Sequence, residues 1–219
     1  MKRTWLYRNS LSIVFFSLFV FSMMGQLITG WKEHNKARKE EGRTAISLQR
    51  YTKTGHFLQA TFENWESEFL QMALFVVLTI SLRQKGSSES KKIEDAEEVD
   101  RKPSPHRRDA PWPVRKGGWV LAIYKHSLSI ALLLLFLVSF WIHAKGSWMD
   151  ENEQRLLKGY PATPLFAYLG ESRFWFESFQ NWQSEFLSVF SIVVLSIYLR
   201  QKGSPQSKPV DASDDETGE

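Results

Sequence analysis

The chain predicts an all-α membrane fold, a four-span transmembrane helical bundle made of two tandem, parallel helical-hairpin repeats. Three observations predict it. A block from Ser10 to Ser87 recurs from Ser127 to Ser204 with no gap, every matched residue lying 117 positions later. Each copy holds two apolar stretches, and tryptophans and cations stand at their ends, where the faces of a bilayer would fall. Even numbers of crossings per copy make the two repeats parallel rather than inverted.

The elements follow in order. Residues 1–9 form a basic lead, and Ser10–Trp31 then carries no formal charge over a length that meets the about 20 residues a crossing needs. A basic start before an apolar run also describes a secretory signal peptide. The repeat argues against cleavage, because the matching stretch Ser127–Ala144 lies deep inside the chain, where a helix is architecture. The second apolar runs, Phe69–Leu82 and Phe186–Leu199, are short alone and reach a spanning length only when extended upstream to Glu63 and Gln180. Open strands are opposed there, since lipid offers nothing to an unpaired strand edge. Arg83, Lys85 and Gly86, with Arg200, Lys202 and Gly203, are helix stop signals.

Between the helices of each hairpin the sequence predicts a loop of about 30 residues, long enough to call for short interfacial helices. The loops share Asn35, Arg38, Gly42, Tyr51 and Phe57 with Asn152, Arg155, Gly159, Tyr168 and Phe174. The domain plan is therefore the lead (1–9), hairpin repeat 1 (10–87), a linker (88–118), hairpin repeat 2 (119–204) and an acidic tail (205–219). Linker and tail lack apolar periodicity and are expected to be disordered and cytosolic.

Composition narrows the function classes. There is no cysteine, which removes disulfides, thiolate nucleophiles and Cys-ligated metals. A formal charge of +4, mixed evenly with acids, does not suit nucleic acid as a partner. The lead, linker, tail and adjoining helix ends hold 17 Lys and Arg against 11 in the two hairpin loops, so the positive-inside rule puts both termini in the cytoplasm. No phosphate loop, dinucleotide fingerprint or zinc helix is present, and the five histidines show no ligand spacing. His143 reads as an interfacial polar group. No metal, cofactor, or nucleophile and base pair is expected, and hence no enzyme.

One constellation stands out: Asn64, Trp65, Ser67 and Glu68, repeated as Asn181, Trp182, Ser184 and Glu185. Glu68 precedes Arg83 by 15 residues, which sets it about 22 Å from the cytoplasmic boundary on a helix. At the bilayer centre an ionised group costs about 2.5–3.5 kcal/mol, less toward the interface. Two readings stay open. The glutamates start their helices among the head groups, or they face one another near the axis between the copies and share a proton or a cation. Asn64 and Asn181, one turn away, are candidate donors to them. Trp31, Trp65, Trp148 and Trp182 are expected to anchor one membrane face. Glu63 and Glu66, which become Gln180 and Gln183 in the second copy, read as surface groups.

The run GHFLQATFENWESEFLQM, with GQLITGW ending the first helix and LRQKGS closing the second, resembles an uncharacterised bacterial integral-membrane family defined as a domain of unknown function. The resemblance covers both copies, though the second departs at Gln180, Gln183 and Ser188. It implies residence in a bacterial inner membrane and carries no activity or site. The reading is thus a multi-pass inner-membrane protein, structural or adaptor-like, in contact with the lipid bilayer. Homodimerisation or an unidentified membrane-protein partner is left open. The alternative is a small proton or cation pathway using the paired glutamates.

Overall fold

A computed structural model describes residues 4–218, so Lys2 and Arg3 of the basic lead and the last tail residue lie outside the described residues. The described chain is helical, without a strand. Its helices are α1 (Trp5–Arg8), α2 (Ser10–Glu40), α3 (Leu48–Tyr51), α4 (Gly55–Leu78), α5 (Trp112–Lys116), α6 (Gly118–Lys125), α7 (Ser127–Leu157), α8 (Leu165–Tyr168) and α9 (Ser172–Tyr198). Equivalent helices begin 117 residues apart: α2 and α7, α3 and α8, α4 and α9.

Two helices, α2 and α7, are long and apolar enough to cross a membrane. At 31 residues each they measure about 46 Å, well beyond a hydrocarbon layer of about 30 Å. Each therefore continues past its tryptophan, and the hairpin loops are shorter than the sequence suggested. The cause is local. KEHNKARKEE is rich in good helix formers, has a Glu33–Lys36 pair at 3.7 Å, and meets no breaker before Gly42. Similarly α4 and α9 begin at Gly55 and Ser172, eight residues ahead of the expected starts, giving lengths of about 36 and 40 Å.

Eleven large apolar side chains between Leu11 and Ile28 are exposed, Phe21 at 75% and Leu11 at 72% among them. No residue in the apolar window of α2 is buried. At about 1.5 kcal/mol per side chain, leaving them in water would forfeit roughly 16 kcal/mol, as much as the whole stability of an ordinary domain.

The chain forms two compact units, Met1–Thr61 with Ile142–Gly170, and Phe62–Trp141 with Glu171–Glu219. The first unit holds both loops, each closed by the same device. Gly42 (φ 73°) and Gly159 (φ 78°) take the left-handed conformation just after α2 and α7. The next amides, of Arg43 and Tyr160, reach back to the carbonyls of Arg38 and Arg155 at 2.7 and 2.9 Å. This is the six-to-one bond of a Schellman cap, and it turns the chain back along the helix. Trp31 then donates its indole N–H to Ile46 O (2.8 Å) and Trp148 to Thr163 O (2.6 Å). Asn35 brackets Ile46 with one bond to its carbonyl (2.9 Å) and one from its amide (2.8 Å), as Asn152 does Thr163 (3.1 and 2.7 Å).

In the same unit α4 and α7 cross with almost no space between backbones. A Cβ on Gly55 would lie 2.6 Å from Gly146 O, and one on Gly146 would lie 2.5 Å from Gln59 N and 2.8 Å from Leu58 Cβ. Only glycine permits the crossing. Arg38 and Arg43 both pair with Glu153, the former at 3.3 Å.

The second unit holds the LRQKGS ends. Arg200 folds Nη1 onto the carbonyls of Ser196, Ile197 and Leu199 at the end of α9, and Arg83 does the same to Thr79, Ile80 and Leu82 in the turns after α4, which ends at Leu78 rather than at the expected Leu82; the distances are 3.0–3.4 Å in both copies. The linker, expected to be structureless, here carries a 3₁₀ turn at Glu98–Asp100 and then α5. The tail also folds back. Lys208 is buried with its ammonium donating to the carbonyls of Ser213, Asp214 and Glu216, while Gly86 N donates to Thr217 Oγ1 at 2.8 Å. A polar segment can do this because its charges meet partners, as Arg200 meets Asp214 at 3.1 Å and Lys85 meets Asp215 at 2.8 Å.

Candidate functional site

The α4 and α9 segments of the second unit bring the repeated motif together. Glu68 and Glu185, counterparts 117 residues apart, lie within side-chain hydrogen-bonding reach of each other. A carboxylate only accepts, so a bond between two carboxyl groups needs a proton held between them. The pair is not enclosed: Glu68 is exposed and Glu185 half-buried.

Three of the flanking residues bond within their own helices. Asn181 donates its amide to Glu177 O at 3.0 Å, and Ser67 and Ser184 each donate their hydroxyl to the carbonyl three residues back, Asn64 O and Asn181 O, at 2.8 Å. These bonds hold the start of the motif to its own helix. Ser67 is buried, whereas Asn64 and Ser184 are exposed. Of the expected interfacial tryptophans, Trp31 and Trp148 tie down the loops, Trp65 lies edge-on to Phe62 at 5.0 Å, and Trp182 lies edge-on to Phe179 at 5.4 Å.

Trp182 also donates its indole N–H to Glu66 Oε1 at 2.9 Å, and Glu66 is 0% exposed. Reading Glu66 as a surface group is therefore corrected, and Glu63 is half-buried. The asymmetry with Gln183 suggested an outer position, but Glu66 shares its helix face with Ala73, seven residues on and also buried. That register was the available signal. His143, read as interfacial, is likewise fully buried in the first unit.

A second cluster in the first unit has no trace in sequence spacing. His34, near the C-terminal end of α2, and His56, at the start of α4, stand with ring centroids 5.2 Å apart, and Tyr51 lies 5.4 and 5.9 Å from them. Tyr51 Oη and His56 Nδ1 are hydrogen-bonded at 3.1 Å. His34 Nε2 is buried with no hydrogen-bond partner. Burial first, then the neighbouring His56, holds the His34 imidazole below its usual range, and burial pushes the Tyr51 phenol up, so both are neutral near pH 7. Gly30 leaves the space that the Tyr51 hydroxyl fills; its counterpart in the second copy is Ser147, which instead hydrogen-bonds Tyr168. The second copy has Glu151 and Arg173 in place of the two histidines.

No curated protein matches the chain, and neither does any solved structure. The sequence of the family described as a domain of unknown function (DUF6766) matches residues 2–219, and this chain, with its buried Glu66, its facing glutamates and its His34–Tyr51–His56 cluster, belongs to that family.

Proposed function

We propose that the protein is a four-span component of a bacterial inner membrane, structural or adaptor-like rather than enzymatic, with both termini in the cytoplasm and its two hairpins in parallel. The observation that carries this reading is the apolar window of α2, in which no residue is buried, recurring in sequence as α7. Side chains of that kind need lipid as their solvent. The lengths of α4 and α9, about 36 and 40 Å, suffice for the other two crossings. The twin loop clamps suit a rigid platform on the outer face, where a partner protein or a second copy of the chain could dock.

Reporter fusions test the arrangement. Alkaline phosphatase should be active after Gly42 and Gly159, and a fluorescent protein bright after Asp100. Phosphatase activity after Asp100 overturns the four-span plan, as does extraction of the protein from membranes by carbonate.

The facing glutamates favour a second reading, a proton or cation site at the outer ends of α4 and α9. Two like charges in contact cannot both ionise easily, so a shared proton or a bound cation would relieve their repulsion. Liposomes with the Glu68→Gln, Glu185→Gln double variant test it: unchanged proton or cation uptake removes this reading and leaves the first standing.

A further inference from the structure

We propose that His34 and His56 form a binding site for a borderline divalent transition metal, zinc foremost, at the loop end of the first hairpin. Zinc takes imidazole nitrogens at about 2.0–2.1 Å in a tetrahedral shell. Two imidazoles sharing one such ion place their ring centroids about 5.2 Å apart, adding the ring radius to that bond and opening the angle at the metal to the tetrahedral value. The observed centroid separation is 5.2 Å.

The nitrogens are prepared for the role. His34 Nε2 is buried without a hydrogen-bond partner, an unfavourable state that a metal bond would relieve. On His56 the Tyr51 hydroxyl engages Nδ1, and with Nδ1–H donating to the phenol oxygen the Nε2 lone pair is free for a metal. Tyr51 is itself buried, edge-on to Phe57 at 5.4 Å, so it holds the His56 ring as an outer-shell partner does in metal sites. Asp150 and Glu153 are the anionic groups that act on His34, against the cation of Arg38. His56 is only half-buried, which leaves a way in and open coordination positions for water. The site is confined to the first copy, because Glu151 and Arg173 occupy the corresponding places in the second and an arginine ligates no metal.

The test uses the full-length protein in detergent, purified without a histidine tag and stripped with chelator. Zn²⁺ titration by calorimetry should show micromolar binding, and Co²⁺ should give the intense visible bands of a tetrahedral ion. His34→Gln and His56→Gln, which keep side-chain size, should each remove one equivalent of metal and those bands. His106→Ala in the linker should change neither. Tyr51→Phe should keep the equivalent but weaken it about tenfold or more, the usual effect of losing an outer-shell partner. The proposal is overturned if the native protein binds no Zn²⁺ at micromolar concentration, if both glutamine variants bind as the native protein does, or if only one of them loses metal.

Discussion

The crossing of α4 over α7 makes Gly146 the position where one methyl group should do the most damage. A Cβ there would stand 2.5 Å from Gln59 N and 2.8 Å from Leu58 Cβ, against ordinary contact from 3.4 Å, so α4 must retreat by about 0.6–0.9 Å. The clash is with backbone and a β-carbon, neither of which can swing away. Overpacking of that kind costs typically about 1–3 kcal/mol, and this case belongs at the upper end. Alanine gains back about 0.5–1 kcal/mol of helix propensity, leaving a net loss of about 2 kcal/mol. For a chain of this size that is a fall in Tm of about 4–8 °C. Gly25 is the control: it lies in α2 with nothing within 4 Å of its would-be Cβ, so Gly25→Ala should leave Tm unchanged or raise it slightly. Thermal unfolding in detergent, read by loss of the monodisperse peak on size exclusion, makes the comparison. If Gly146→Ala melts no lower than Gly25→Ala, the close crossing is wrong.

Glu66→Ala leaves the half-buried Trp182 indole without its acceptor and should cost about 1–3 kcal/mol, whereas Glu66→Gln keeps an acceptor oxygen and should cost less; thermal unfolding of the two variants separates them. Asn35→Ala and Asn152→Ala each remove a two-bond clamp, so each should be destabilising by roughly 1–3 kcal/mol, with faster amide exchange at Ile46 and Thr163 respectively. Glu153→Gln weakens the partly exposed cluster with Arg38 and Arg43 by at most about 1 kcal/mol, and the difference from the native protein should shrink as salt is added.

What could be read from the amino acids depended on range. The 117-residue offset was legible because no gap interrupts it, and the helix starts and loop clamps keep that offset. The stop before Arg200 was legible, since a cation beside a helix's last carbonyls acts within one turn, whereas α4 ends at Leu78, five residues ahead of Arg83. Loop length was misjudged because hydropathy marks where a helix leaves an apolar solvent, while Gly42 and Gly159 mark where it ends. Glu66 was misplaced because charge was weighed above register. The meeting of His34 with His56 was out of reach altogether, since it depends on how the chain returns after α3, a tertiary fact with no periodic signal. That Glu68 and Glu185 are repeated is plain in the sequence, whereas the approach of their side chains depends on how α4 meets α9, which spacing does not encode.

Glu68 meets Glu185, its counterpart 117 residues on, within one chain. A polypeptide with a single copy would have to find a twin to bring those two carboxyl groups together. Joining the copies makes the encounter intramolecular, independent of concentration, and it frees each half to diverge. Serine could then stand where its sister kept glycine at position 30, and a histidine pair could settle on one side alone.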